Sequence, residues 1–350
     1  MSKYWTELVH QLDPYVPGEQ PQDQQFIKLN TNENPYAPSP EVAKAIQACS
    51  YDSLRLYPDP ESSALRQALA AYHNLDINQV FIGNGSDEVL AHSFQTFFKH
   101  RHPILFPDIS YSFYPVYCAL YQIDYQTVAL DDTFCVNPAD YKRSNGGIII
   151  ANPNAPTGIA MDLNLIRGLL FNSDSLVIID EAYVDFGASS AIELITDFPN
   201  LLVIRTFSKS RSLAGIRLGY ALGQSALIEG LNRIKNSFNS YPIGRLTSSA
   251  AIASLNDENY FQLCKDRIID SRDWLNNELA TLGFEVLPSS SNFVFARHQS
   301  RAASDLYIGL KQKGILVRHF KSKRIEEFLR ISIGSKDQCA ALIDALKLLV

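Results

Sequence analysis

The chain has 350 residues, 46% of them hydrophobic and 19% charged. That describes a folded protein with ample core and, at ~150 residues per domain, about two domains. With only 17 Gly and 17 Pro it is neither disordered nor collagen-like, and a net charge of −6 leaves no electrostatic footprint for nucleic acid. Cys49, Cys118, Cys135, Cys264 and Cys339 never fall at C-x-x-C spacing, and the seven His form no H-E-x-x-H. Neither a disulfide framework nor a metal site is expected, and His100-Arg101-His102 reads as a solvated turn.

Residues 1–40 are rich in Pro, Asn and Gln and read as an arm. The opening MSKYWTELVHQLDPY lacks the apolar centre of a leader peptide, and no run reaches the ~18 apolar residues of a membrane span. The cytoplasm is the expected location, with no membrane partner.

Over 41–255, short apolar runs alternate with helix-period segments. A strand is predicted at 79–82 and a helix at about 87–99, then a strand at 103–106 and a helix to about Tyr121. The runs 147–151, 176–180 and 201–205 are continuous and β-rich, without polar alternation, the last two ending in Asp180 and Arg205. Such runs predict strands buried on both faces of a largely parallel sheet, and the β–α alternation predicts a doubly covered α/β domain. After a helical stretch at 258–282, short strands are predicted at 284–287, 292–295, 315–318 and 329–333. With a last helix near 337–349 they predict a smaller α+β domain over 256–350, packed with part of the arm.

Ligands of open α/β sheets gather at the carboxyl ends of the strands. There the sequence reads Gly83-Asn84-Gly85-Ser86-Asp87-Glu88. A dinucleotide fingerprint needs Gly at the position of Glu88, so the loop reads as an anion cradle at a helix N-terminus or as a plain cap. Asp180 directly follows one strand. Lys209 lies just past another, between Ser208 and Ser210, with Arg217 eight residues further on. Alone, Asp180 is a loop carboxylate and Lys209 a solvated cation. Together with the cradle they describe a pyridoxal-phosphate site. Lys209 would bond to the aldehyde and carry protons, and Asp180 would keep the pyridine nitrogen protonated. Gly85, Ser86, Asp87, Thr206, Ser208 and Arg217 would hold the phosphate.

With these residues in view, the chain resembles the fold-type I, class I/II pyridoxal-phosphate aminotransferases over nearly its whole length, most closely the histidinol-phosphate aminotransferases. The resemblance rests on Leu29-Asn30-Thr31-Asn32-Glu33-Asn34-Pro35, Leu56-Tyr57-Pro58-Asp59, Gly85-Ser86-Asp87-Glu88, Ser110-Tyr111-Ser112, Asp180-Glu181-Ala182-Tyr183, Ser208-Lys209 with Arg217, and Leu329-Arg330-Ile331-Ser332-Ile333-Gly334. It implies a mostly parallel seven-stranded sheet covered by helices, plus the smaller C-terminal domain. It also implies that Tyr111 stacks on the cofactor ring, and that Tyr183, catalytic with Lys209 and Asp180, bonds the ring's phenolic oxygen. Tyr57 would reach the phosphate from a partner subunit, giving a homodimer with shared active sites. Tyr15, within Asp13-Pro14-Tyr15-Val16-Pro17-Gly18, Asn34, Arg318 and Arg330 would bind substrate.

The sequence departs from the family at Asn152-Pro153-Asn154-Ala155-Pro156-Thr157-Gly158, where Ala155 occupies the place of the usual Asn. Either Asn154 reaches the ring by a shifted turn, or Tyr183 holds that oxygen with less help. The reaction implied is amino transfer between L-histidinol phosphate and 2-oxoglutarate in histidine biosynthesis. Aromatic amino-acid aminotransferase and threonine-phosphate decarboxylase are the same-fold alternatives. A pyridoxal-phosphate-binding regulator would need an N-terminal helix-turn-helix domain, for which the arm is too short.

Overall fold

The computed structural model describes residues 2–21 and 26–350. The arm contributes a short strand, β1 (Ile27–Lys28). Seven strands then build the central sheet: β2 (Val80–Gly83), β3 (Ile104–Pro107), β4 (Tyr125–Val128), β5 (Ile148–Ala151), β6 (Val177–Asp180), β7 (Leu201–Thr206) and β8 (Gly219–Gly223). Their spatial order is β2-β8-β7-β6-β5-β3-β4. The β3, β4, β5, β6 and β7 pairings are parallel, while β8 runs antiparallel to β2 and β7.

The period-two pleat explains the uninterrupted apolar runs. Ile148, Ile150, Val177, Ile179 and Val203 face one core with Val42 and Leu169. Ile149, Ile178, Leu202 and Ile204 face the other, with Phe94 and Tyr114. Each such side chain contributes ~1.5–3 kcal/mol by burial, so both faces must be apolar. A charge at Ile178, which is fully buried, would break the second core.

Besides β1 in the arm, two strands of the central sheet escaped the sequence reading. β4 is an edge strand whose Tyr125, Gln126 and Thr127 are exposed. β8 is short and bounded by glycines. Its reversed direction matters, because it brings Gly219 to the edge at which β2 and β7 end, opposite both Gly83 and Thr206. A Cβ at Gly219 would lie 2.3 Å from the Ser86 nitrogen. Only glycine there lets the helix Gly85–Ser93 begin against the sheet.

The remaining strands are β9 (Phe284–Val286), β10 (Phe293–His298), β11 (Ile315–Leu316), β12 (Arg318–His319) and β13 (Leu329–Ser332). Four of them form an antiparallel sheet in the order β12-β13-β10-β9. Ile268 and Leu275, Leu306 and Leu310, and Leu342 and Leu346, from three covering helices, pack on its Val294, Leu329 and Ile331. The run 315–318, predicted as one strand, is two. β11 pairs in parallel with β1, and β12 pairs with β13. Val317 between them turns into the core at 2% exposure, so the chain changes partner there. The arm is stitched on by Leu29, which donates to Leu316 and accepts from Ser332. No helix among the described residues is long and apolar enough to cross a membrane.

Candidate active site

The loops that leave β2, β3, β5, β6 and β7 open on one edge of the central sheet, and a cavity of about 560 Å³ lies over them. Ser86, Asp87, Tyr111, Asp180, Tyr183, Thr206, Ser208, Lys209 and Arg217 line it. Tyr15 from the arm, Arg318 from β12 and Arg330 from β13 close it from the other side.

Lys209 donates from Nζ to the Thr31 carbonyl at 3.4 Å and lies 5.8 Å from the Tyr183 ring centre. The Tyr183 hydroxyl accepts from Asn32 Nδ2 at 3.0 Å. Asp180, 5% exposed, accepts from the Tyr114 hydroxyl at 3.0 Å on Oδ2, while its buried Oδ1 has no partner. Burial raises its carboxyl to about 6, against the lowering effect of the Tyr114 bond and the Ala182 N–H.

At the start of the helix Gly85–Ser93, Gly85 sits at φ 80°. A Cβ there would meet the Arg217 guanidinium at 2.5 Å. Arg217, itself left-handed at φ 57°, pairs with Asp87 at 3.1 Å. The other Asp87 oxygen accepts from the Tyr111 hydroxyl at 3.1 Å, which fixes the ring's tilt in the cavity wall. Burial pushes the Tyr111 phenol well above its ordinary range, and Asp87 adds to the effect, so it stays a donor. Thr206 and Ser208 hydroxyls bond each other at 3.0 Å. Helix N–H groups, two hydroxyls and a guanidinium thus converge on one corner, the composition of a phosphate site.

Arg318 and Arg330 are directly opposed in the β12–β13 register, so both side chains leave the same face. Neither forms an ion pair with a carboxylate among the described residues. Arg330 donates to the Asn30 carbonyl at 2.9 Å, its buried Nε has no partner, and its guanidinium lies over Phe293 and Phe320. Burial, with Arg318 beside it, holds Arg330 below the ordinary guanidinium range. Like charges directly opposed are destabilising by themselves, so the pair is suited to an anion. Tyr15 stands near them with its ring 4.8 Å from that of Phe113.

Four of the expected residues make no cavity wall. Gly85 acts through its backbone. Asn34 donates its amide to the carbonyls of Lys209 at 3.0 Å and Ser210 at 3.3 Å, so it braces the lysine loop rather than facing substrate. Asn154 donates to the Ile109 carbonyl and Thr157 Oγ1, and accepts from Ser110. Its amide is thus taken up by Thr157 and by the Ile109–Ser110 segment, and Ala155 rather than Asn154 lines the cavity. Tyr57 is 78% exposed and stacks on Tyr241 at 4.8 Å, away from this chain's cavity. The sequence reading passed over Asn32 and Tyr114. Asn32 lay within the Leu29–Pro35 segment that carried the resemblance, and Asn tolerates the αL backbone it adopts there at φ 56°.

This architecture, with a lysine, a carboxylate and a phosphate corner at the strand ends, is fold type I of the pyridoxal-phosphate-dependent enzymes. The sequence matches the family described as Aminotransferase class I and II over residues 24–346. It is 56% identical to Histidinol-phosphate aminotransferase 1 of Hydrogenovibrio crunogenus, over 99% of both chains. It is likewise 56% identical to Histidinol-phosphate aminotransferase 1 of Pseudomonas aeruginosa, over 100% of both. Histidinol-phosphate aminotransferase from Sinorhizobium meliloti, solved in complex with pyridoxal-5'-phosphate, superposes with a TM-score of 0.88 at 26% identity, covering 100% of this chain and 99% of that one. The chain belongs to the class I and II aminotransferases.

Proposed function

We propose that this chain is a pyridoxal-phosphate enzyme that transfers the amino group of L-histidinol phosphate to 2-oxoglutarate, giving imidazole-acetol phosphate and glutamate. The observation that carries the substrate assignment is the opposed pair Arg318 and Arg330, without carboxylate partners among the described residues, in the cavity that also holds Lys209. A phosphate monoester and the distal carboxylate of glutamate are both anions that such a pair can bind in turn. The full-length relatives at 56% identity carry the same activity in their names.

The cavity fits the cofactor on one independent point: Asp180, which lines it, keeps Oδ1 as a buried acceptor with no partner, a need that a protonated ring nitrogen would meet. When bound, pyridoxal phosphate supplies an aldehyde carbon that takes the amino group and a ring that withdraws electrons from the substrate carbon. Asp180 would hold the ring N–H, and Tyr183, supported by Asn32 in place of the absent amide at Ala155, would donate to the phenolic oxygen. The Gly85–Asp87 backbone, Thr206, Ser208 and Arg217 would hold the phosphate. Tyr111 would cover the ring. Lys209 Nζ would anchor the cofactor and, once displaced by the incoming amine, move the proton that the substrate carbon loses. Tyr15 would shut water out over the bound anion.

We read the functional unit as a cytoplasmic homodimer, with Tyr57 of each subunit serving the other's phosphate corner. Tyr51, Leu54 and Leu56, close before Tyr57, and Phe238, at the end of the helix Ser225–Phe238 just before Tyr241, are exposed, which supports a covered face there. An arm at 1–40, a large domain at 41–255 and a small one at 256–350 remain our division of the chain.

The test is a single-turnover assay of the yellow enzyme with histidinol phosphate, histidinol and glutamate, after borohydride has located the cofactor on Lys209. Amine transfer from histidinol phosphate and glutamate, with histidinol a poor donor, is expected. Carbon dioxide release from O-phospho-L-threonine, added as a fourth amine, would make it a lyase. Equal use of histidinol would favour an aromatic aminotransferase.

A further inference from the structure

We propose that Tyr114 is a positioning residue of this reaction: its hydroxyl holds Asp180 by one carboxylate oxygen, so that the other is presented, charged, to the cofactor ring. The inference rests on the cofactor reading above and assigns a task to a residue that lies outside the cavity wall.

The geometry is specific. Tyr114 begins the helix Tyr114–Tyr121 and is fully buried. Its ring is wedged among Phe94, Phe106 and Tyr111 at centroid distances of 6.2, 5.9 and 5.5 Å, so the hydroxyl has one place to point. That place is Asp180 Oδ2, at 3.0 Å. Oδ1 is left buried and without a partner, on a residue that lines the cavity. A carboxylate in an apolar wall, free to rotate, would offer either oxygen and would readily take up a proton. The phenol removes both freedoms. It pins the rotation about Cβ–Cγ, and by donating to Oδ2 it favours the anion.

Ionisation of Asp180 is contested from several sides. Burial favours the protonated form and Asp87, from the helix Gly85–Ser93, adds to it; the Tyr114 bond and the Ala182 N–H oppose them. Tyr111 and Tyr117 also face the carboxylate, and all three phenols stay neutral because burial pushes them upwards. Tyr114 is therefore the one titratable side chain bonded to Asp180 that favours its charge. A neutral Asp180 could not keep a ring nitrogen protonated, so losing the phenol hydroxyl should cost function most in mildly acidic solution.

The experiment follows Asp180 directly. Isotope-labelled aspartate carboxyl carbons are titrated by NMR in the apo-protein, with Asp180→Asn identifying the resonance. Native Asp180 is expected to titrate near 6, and Tyr114→Phe to move that midpoint up by about one to two in pH, the worth of one hydrogen bond to a charge. Difluorotyrosine incorporated at position 114, a stronger donor, should move it down. In the holoenzyme the acid limb of kcat should follow each shift in the same direction, and cofactor affinity of Tyr114→Phe near pH 6.5 should fall about tenfold. A merely structural Tyr114 would lower thermal stability and leave both the midpoint and the limb in place. An unmoved midpoint in either variant overturns the proposal. Failure of borohydride to fix any cofactor on native Lys209 would instead overturn the cofactor reading, and the apo titration would still decide whether Tyr114 governs Asp180.

Discussion

Asn32 and Tyr183 are 151 positions apart, yet the amide of the first donates to the hydroxyl of the second at 3.0 Å. Asn32 is held in turn by Ser332, whose Oγ accepts from the Asn32 N–H at 2.8 Å and donates to Oδ1 at 2.9 Å. A strand of the C-terminal sheet is thereby connected, through the arm, to a phenol in the wall of the cavity. With Ala155 offering no amide, the Asn32–Tyr183 bond is the polar support that Tyr183 retains.

Asn32→Ala should therefore weaken cofactor binding about tenfold, the worth of one hydrogen bond in a buried network. The left-handed backbone at φ 56° adds a strain of its own. Asn32→Gly removes the amide without that strain. Equilibrium dialysis of both variants should give the same loss of affinity, with only the alanine variant also losing thermal stability. If glycine restores native affinity, the effect was backbone strain and Tyr183 needs no support.

Behind the lysine loop lies a largely buried charge cluster, with Asp185 at its half-exposed edge. Arg205 pairs with Asp185, which also accepts from Ser210 next to Lys209, and Glu181 accepts from Ser190 and the Ala191 N–H. Burial raises the Glu181 carboxyl to about 7, partly offset by Arg205. Its folded value thus lies above its unfolded one of about 4.5. Between those values the folded chain holds a proton that the unfolded chain has lost, so this group's contribution to stability falls as pH rises from about 4.5 to 7. Glu181→Gln should flatten that slope by up to about 3 kcal/mol, read from denaturant midpoints at pH 5 and 8. Arg205→Met should instead cost about 1.5–3 kcal/mol at pH 7, because it leaves the half-buried Asp185 without its cation.

The two arginines should separate the half-reactions. Arg330→Ala should weaken both glutamate and histidinol phosphate by about 30-fold to several thousand-fold, the range for a desolvated, charge-assisted pair. Arg318→Ala should fall harder on histidinol phosphate, whose dianion calls for a second cation, and histidinol should be nearly indifferent to it. Stopped-flow spectra of each variant with each amine give the comparison. Equal losses for phosphorylated and unphosphorylated amines would remove the phosphate from this pair.

What the sequence made legible was whatever depends on local pattern. The unbroken apolar runs around Ile149, Ile178 and Val203 announced strands covered on both faces, and the eight-residue step from Lys209 to Arg217 survives as a loop that returns to one sheet edge. Features set by distant partners stayed hidden. Nothing local says that the strand Gly219–Gly223 runs backwards between β2 and β7, or that residues 315–318 change partner at Val317. Asn154 and Tyr114 are the same lesson at the scale of one side chain. The first is captured by Ile109 and Ser110 some 44 residues away, the second by Asp180 at a separation of 66.

Tyr57 provides the sharpest test of subunit sharing. Within its own chain it cannot serve the cavity: it is 78% exposed, stacks on Tyr241, and its carbonyl is held by Arg245. If it completes the partner's phosphate corner, Tyr57→Phe should loosen the cofactor roughly tenfold, as expected for one charge-assisted bond lost. If Lys209 is both cofactor anchor and proton carrier, Lys209→Ala should abolish turnover. The two defects then lie in different subunits' contributions to one site. Mixing the variants under conditions that exchange subunits makes hybrid dimers in which one site has native Lys209 and native Tyr57, and the other has neither. Equal mixing should give about a quarter of the native sites, by two-fold symmetry alone. Measured at a cofactor concentration too low to saturate Tyr57→Phe, activity should rise on mixing above the average of the separate variants. Strict additivity at every mixing ratio, with subunit exchange verified by native mass spectrometry, would mean that each cavity is complete within its own chain.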